Sequence, residues 1–268
     1  MFYKAHNGKI AIDDTFAYYL SFGKGKKNLI IIPGLGGAFK STKGLAIPMA
    51  LMYRKFAKDY KVYVFSRREK MPKNYTTSDM ANDIIKHMDD LGINSASIVG
   101  VSEGGMIAQY IAINALNKVE KLVLTVTVAR SNEILINCVN KWISMAKNKD
   151  YKGIMIDTAT KSYTGKYLKK AQRLYGFLGK FSKKIKYDKF FVEANACLTH
   201  NSYNDLCKIT CPTLIIGAAK DQVLGIIGSK ELHEQIIDSE LFIYDEYSHG
   251  VYEQAKDFNK RVLNYLKK

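Results

Sequence analysis

Two kinds of hydrophobic pattern divide the chain. Near the amino terminus, short alternating segments at residues 9–13 and 16–22 flank the turn-forming pair Asp13-Asp14, which predicts two antiparallel strands. From residue 29 onward, apolar runs of strand length alternate with stretches of helical periodicity. This alternation is typical of a mostly parallel sheet covered by helices, so we expect an α/β fold.

The pattern also locates the individual elements. Strands are predicted at 29–32, 62–65, 96–100, 121–128, 212–217 and 241–244, and helices at 47–56, 77–92, 106–116, 226–237 and 251–266. Between about 130 and 205 the periodicity weakens, because Lys, Tyr and Asn replace Val and Ile, and a helical insertion is predicted. The predicted domains are an α/β core of residues 1–129 and 206–268 and a helical cap of residues 130–205.

Composition places the chain among ordinary globular proteins. Hydrophobic residues make up 47% and charged residues 25% of the 268 residues, which excludes a disordered chain and leaves ample sequence for a core. No apolar run reaches the ~20 residues that a membrane span requires. The first residues lack the pattern of a secretory signal, so we expect a cytoplasmic location.

The cysteines do not suggest cross-links or a metal. Cys138, Cys197, Cys207 and Cys211 are too few and too scattered for a disulfide framework. Cys207 and Cys211 have no second Cys/His pair to complete a zinc site. We expect buried free thiols and no metal.

Positive charge is concentrated in one segment. The chain has a net charge of +16, and residues 141–190 hold 13 lysines and one arginine against three aspartates, a balance of +11. No zinc finger, RNA-binding sheet motif or evident helix-turn-helix accompanies this charge, so a nucleic-acid partner is not expected. The pattern favours a solvated basic face, and attraction of anionic substrates is the alternative.

One serine lies where a nucleophile would be held. Ser102 stands in Gly100-Val-Ser-Glu-Gly-Gly105, between the predicted strand 96–100 and the predicted buried helix 106–116. Small residues around a serine permit a strained strand-to-helix turn that presents the hydroxyl at the carboxyl edge of a sheet. Ser102 is therefore the candidate nucleophile.

A serine hydroxyl needs a general base, which a carboxylate orients. Of the five histidines, His249 alone falls between the last predicted strand and the last predicted helix, at the same edge as Ser102. The others, His6, His87, His200 and His233, are predicted to be structural or exposed.

Several carboxylates could orient this histidine. Asp221 follows the strand 212–217 by a short loop and precedes His249 in the chain, so it is the preferred acid. Asp245 and Glu246 remain rivals, although they lie in the same loop as His249. Glu133 is a further, weaker rival.

Acyl transfer also needs two N–H donors for the anionic intermediate. The Gly-rich loop Pro33-Gly-Leu-Gly-Gly37 follows the strand 29–32, which makes the backbone N–H of Leu35 one candidate and that of Glu103 the other. The loop lacks the lysine and the spacing of a phosphate-binding loop, so a nucleotide cofactor is not expected.

Together these motifs resemble the α/β-hydrolase superfamily, in its small capped esterase-like, lactonase-like and C–C hydrolase-like members. The resemblance covers nearly the whole chain and implies an eight-stranded, mostly parallel sheet with a helical cap inserted after the sixth strand. Two features depart from it: Pro33-Gly34 replaces the usual His-Gly, which removes a side chain that often braces the loop, and Glu103 is uncommon after the nucleophile. The Glu103 carboxylate either acts electrostatically on His249 or on anionic substrates near Ser102, or it points away into a separate polar contact.

The sequence thus predicts a serine hydrolase that cleaves a small carboxylic ester, thioester or lactone through an acyl-enzyme intermediate. Ser102, His249 and Asp221 are the predicted catalytic residues, and no cofactor is expected. The predicted partner is a small-molecule substrate, either anionic or an apolar acyl compound. A ligand sensor of the same fold, with slow or no turnover, is the alternative.

Overall fold

The computed structural model describes residues 3–39, 41–178 and 185–268, with the backbone alone for 176–178. One sheet contains the strands β1 (His6–Ile12), β2 (Thr15–Phe22), β3 (Lys27–Ile32), β4 (Tyr60–Phe65), β5 (Ala96–Val101), β6 (Val119–Thr125), β7 (Thr213–Ala218) and β8 (Ser239–Tyr244). Their order is β1-β2-β4-β3-β5-β6-β7-β8, and β2 alone runs opposite to the other strands of this sheet. The predicted fold class, an eight-stranded and mostly parallel sheet, is confirmed.

Helices cover both faces of the sheet. The helices are α1 (Ala46–Met52), α2 (Thr77–Asp90), α3 (Glu103–Asn114), α4 (Glu133–Lys147), α5 (Tyr151–Ser162), α6 (Gly165–Leu178), α7 (Asp188–Thr199), α8 (Ile227–Gln235), α9 (Val251–Gln254) and α10 (Phe258–Lys267). Every residue of β5 and β7 is buried, which explains their continuous apolar runs. Helices α2, α3 and α8 pack on one face, and α1 and α10 pack on the other.

Helices α4 to α7 lie between β6 and β7, where the helical cap is predicted; residues 179–184 of this stretch lie outside the described residues. The two ends of the insertion meet. Ser131 N–H donates to His200 O at 3.3 Å, and Ser202 N–H donates to Ala129 O at 2.8 Å. The helices therefore leave and rejoin the sheet at one place, although the division into two domains stays a prediction.

The structure corrects several boundaries. The strand predicted at 121–128 ends at Thr125, because Val126 takes a positive φ of 41° that extended backbone does not allow. The helix predicted at 251–266 is two helices, since Ala255 is extended and buried between them. The prediction of four buried thiols is wrong for Cys207, which is exposed, and for Cys211, which is half-buried. Among the described residues no helix is long and apolar enough to span a membrane.

Candidate active site

The turn that carries Ser102 is strained. Ser102 follows β5 directly and has φ 55° and ψ −121°, a left-handed conformation that non-glycine residues rarely adopt. Its N–H donates to Thr125 O at 2.9 Å, and its carbonyl accepts from Thr127 Oγ1 at 2.7 Å. These bonds to the end of β6 fix the backbone, so the Ser102 side chain is held at the carboxyl edge of the sheet.

Two glycines make this turn possible. A Cβ at Gly104 would collide with the carbonyl of Ile32, at the end of β3. A Cβ at Gly100 would collide with the carbonyl of Gly104. The glycines therefore allow the amino end of α3 to pack directly against two strands.

The structure brings the three predicted catalytic residues together. His249 Nε2 lies 2.9 Å from Ser102 Oγ, and His249 Nδ1 lies 2.9 Å from Asp221 Oδ2. His249 and Asp221 are both buried, at 7% and 8% exposure, which excludes competing water from the carboxylate–imidazole contact. The residues form one continuous hydrogen-bonded chain with the geometry of a serine–histidine–acid triad.

Local contacts hold the acid and the base in place. The second oxygen of Asp221, Oδ1, accepts the N–H groups of Val223 at 2.8 Å and Leu224 at 3.0 Å. The loop that carries His249, residues 245–250, is called the histidine loop. It is bound to the end of α5, since Gly250 N–H donates to Ser162 O at 2.7 Å. Both groups are therefore oriented before any substrate binds.

The rival carboxylates lie elsewhere. Asp245 and Glu246 are exposed, and Glu246 pairs with Lys220 at 2.6 Å. Glu133 is the first residue of α4. Within the described part of the chain, none of the three forms a hydrogen bond with His249.

The remaining histidines have other surroundings. His200 is buried, with Nδ1 2.9 Å from Thr77 Oγ1, and burial lowers its pKa to about 3. His87 is buried and stacks on Phe65 at 5.6 Å between ring centroids. His6 and His233 are exposed.

The predicted oxyanion donors belong to the loop after β3, which approaches Ser102, and to the residue that follows Ser102. Leu35 begins a short 3₁₀ turn after β3, and Glu103 begins α3. The loop reaches the nucleophile, because a Cβ at Gly34 would lie 3.0 Å from the Ser102 Cβ. In residues 3–39, 41–178 and 185–268, no acceptor occupies the N–H of Leu35 or of Glu103. Both donors are available near Ser102, and their role remains a prediction.

The Glu103 carboxylate forms a buried ion pair that sequence reasoning missed. Arg67 Nη2 lies 3.0 Å from Glu103 Oε2 and donates to Pro33 O at 2.8 Å. Arg67 follows β4 and is only 7% exposed. Of the two alternatives for Glu103, the structure has the separate polar contact. No motif marks Arg67, so the only signal available was a charged residue directly after a buried strand.

Comparison with known proteins identifies the family. Residues 27–256 match the sequence profile of the family described as alpha/beta hydrolase fold, and the chain belongs to this family.

Within the described residues, no group of three or more His, Cys, Asp or Glu side chains could hold a metal ion.

Individual relatives cover most of the chain. The mouse protein "Serine hydrolase BPHL" is 24% identical over 97% of this chain and 86% of its own length. "3-oxoadipate enol-lactonase 2" of Acinetobacter baylyi is 23% identical over 72% of each chain. The solved structure of MGS-M2, an alpha/beta hydrolase enzyme from a Medee basin deep-sea metagenome library, superposes with a TM-score of 0.85 at 23% identity, covering 97% of this chain and 98% of that one.

Proposed function

We propose that this hydrolase cleaves a small carboxylic ester, thioester or lactone through an acyl-enzyme intermediate at Ser102. The observation that carries the proposal is the pair of 2.9 Å contacts that joins Ser102 Oγ to His249 and His249 to Asp221. A serine hydroxyl becomes a nucleophile when a neutral imidazole accepts its proton, and a buried carboxylate then stabilises the imidazolium.

Each step uses groups in the site. Ser102 Oγ attacks the carbonyl carbon while His249 Nε2 accepts its proton, and Asp221 stabilises the imidazolium through Nδ1. The N–H groups of Leu35 and Glu103 bind the oxyanion. His249 then returns the proton to the leaving oxygen or sulfur, and a water molecule activated by the same imidazole releases the acid.

The relatives support an acyl substrate without identifying it. One is named a serine hydrolase, and another is named an enol-lactonase, whose substrate contains a cyclic ester. The predicted substrate is an anionic or an apolar acyl compound. We place its binding surface between the carboxyl edge of the sheet and α4 to α7, because the α5 end contacts the histidine loop.

The test combines labelling with turnover. A fluorophosphonate should label the wild-type protein stoichiometrically at Ser102, and panels of p-nitrophenyl esters and lactones should give multiple turnovers. Failure to label, or labelling that persists in Ser102→Ala, would contradict the mechanism. Labelling with one turnover only, accompanied by a large change in thermal stability, would instead support the ligand sensor.

A further inference from the structure

A single nitrogen of Arg67 connects the two segments that carry the candidate oxyanion donors. Arg67 Nη2 bonds to Pro33 O, two residues before Leu35, and to the carboxylate of Glu103, whose own N–H is the second donor. Both charged side chains are almost fully buried, at 6% and 1% side-chain exposure. The pair is therefore protected from solvent screening and sensitive to geometry.

Another ionisable side chain is buried in this region. Glu193, on α7, is 1% exposed, and its pKa is raised by the charge of Glu103 and lowered by that of Arg67. Lys189 on the same helix pairs with Glu69, two residues after Arg67, at 3.1 Å. Helix α7 is thus bound to the segment after β4 by an ion pair.

Arg67, Glu103 and Glu193, here called the buried cluster, retain polar atoms that bond to nothing in the described chain. These atoms are Arg67 Nε, Glu103 Oε1, Glu193 Oε1 and Glu193 Oε2. Buried unpaired polar atoms are costly, and replacing buried ion pairs by apolar residues of similar volume is often neutral or stabilising in proteins. A buried charge cluster beside a nucleophile is more readily explained by a requirement of the site than by stability.

The charges in the cluster balance when one carboxyl holds a proton. Burial raises the pKa of Glu193 well above its usual range, and the charge of Glu103 raises it further. A proton on Glu193 would leave Arg67 and Glu103 as a neutral pair, with no excess negative charge next to the Glu103 N–H donor.

We propose that Arg67 and Glu103 form a buried positioning unit that fixes the Leu35 and Glu103 N–H donors relative to Ser102. This inference rests on the proposed serine mechanism and adds Arg67 as its positioning residue. The Pro33-Gly-Leu-Gly-Gly37 loop contains three glycines and lacks the histidine that often braces it in similar sequences. Arg67 provides that brace from the segment after β4. Small displacements of preorganised N–H donors weaken binding of the transition state more than they weaken binding of the substrate.

The test compares a transition-state analogue with a ground-state analogue. A trifluoromethyl ketone forms a tetrahedral adduct with a serine and requires the oxyanion donors, whereas the matching methyl ketone binds without forming that adduct to the same extent. Arg67→Gln should lower kcat/KM for the best ester about 10- to 100-fold and weaken the trifluoromethyl ketone by a similar factor. Affinity for the methyl ketone and the final stoichiometry of fluorophosphonate labelling should stay unchanged.

The chain offers a matched control next to Arg67. Arg68 forms an ion pair with Asp83 in which both side chains are 11% exposed, and it does not contact Pro33 or Glu103. Arg68→Gln should reduce thermal stability but leave the ratio of the two ketone affinities within about threefold of wild type. Arg67→Lys, which keeps the charge, should recover part of the loss caused by Arg67→Gln.

Glu103→Gln keeps the proposal testable if Arg67→Gln does not fold. This change preserves the side-chain shape and an acceptor oxygen but removes the charge that strengthens the bond to Arg67. The affinity for the trifluoromethyl ketone, divided by that for the methyl ketone, should fall about 3- to 10-fold. The positioning role would be overturned if the folded Arg67 and Glu103 variants kept the wild-type ratio, whether neither ketone lost affinity or both lost it equally. An unreactive wild-type protein would overturn the proposed function instead, so the two failures are distinguishable.

Discussion

The hydrogen bonds around Asp221 determine how an asparagine side chain would be oriented at this position. In Asp221→Asn, the side-chain oxygen would keep the position of Oδ1, because the N–H groups of Val223 and Leu224 donate to it at 2.8 and 3.0 Å. The new NH₂ group would then occupy the position of Oδ2, 2.9 Å from His249 Nδ1. Two donors cannot face each other, so Nδ1 must become the acceptor and the ring proton must move to Nε2.

This tautomer cannot accept the proton of Ser102. A serine triad with the acid replaced by its amide loses on the order of 10⁴ in kcat, equivalent to about 5.4 kcal/mol of transition-state stabilisation. The two backbone donors make the flipped amide unfavourable, because it would present NH₂ to two N–H groups. We therefore expect the full loss, on the order of 10⁴, and little change in KM.

The assay is steady-state hydrolysis of the best ester from the panel, with stopped-flow measurement of acylation. Asp245→Asn is the control, because it makes the same substitution at an exposed carboxylate in the histidine loop and should alter kcat by less than about threefold. Thermal unfolding of both variants separates loss of chemistry from loss of fold. A larger effect of Asp245→Asn, or equal effects, would show that Asp221 does not orient His249.

Three further predictions follow from the same structure. Ser102→Ala should abolish fluorophosphonate labelling and lower kcat by about 10³-fold or more while the melting temperature stays near that of wild type, and residual labelling at the site would contradict this. Burial lowers the pKa of His200 to about 3, so the unfolded chain binds a proton at this residue as pH falls below about 6.5 and the folded chain does not. The free energy of unfolding should therefore fall between pH 6.5 and 3, by at most ~1.4 kcal/mol per pH unit. His200→Gln should flatten this dependence, and His233→Gln should not. If the exposed basic face of α6 attracts anions, hydrolysis of a carboxylate-bearing ester should decline with salt more than that of its neutral counterpart, and neutralising Lys169, Lys170 and Arg173 together should narrow the gap; neutralising Lys55, Lys58 and Lys61, at the opposite edge of the sheet, should leave it unchanged.

The features predicted from sequence depend on short-range patterns. Strand β5 and the serine turn are encoded within residues 96–105, where a buried apolar run meets small residues. The approach of Asp221 and His249 to Ser102 was predictable because the carboxyl ends of parallel strands share one edge of the sheet. Topology converts three separate local signals into one site.

The features that were missed depend on contacts between distant segments. Arg67, Glu103 and Glu193 come from the segment after β4, the start of α3 and the middle of α7, and no periodicity connects them. The break between α9 and α10 was hidden for a related reason. Ala255 and Phe258 are both buried, so the apolar spacing of one helix continued through a segment where tertiary packing imposes an extended residue.

Helices α5 and α7 contact two different loops of the candidate site. Ser248 Oγ donates to Lys161 O and Gly250 N–H donates to Ser162 O, which connects the histidine loop to the end of α5. Phe190 of α7 stacks on Phe39, in the 3₁₀ turn that begins at Leu35, with 4.8 Å between the ring centroids. A displacement of these helices would change the orientation of the base and the position of the donors together. We therefore expect the geometry of the candidate site to depend on how the inserted helices pack, as well as on the sheet edge that carries the three catalytic candidates.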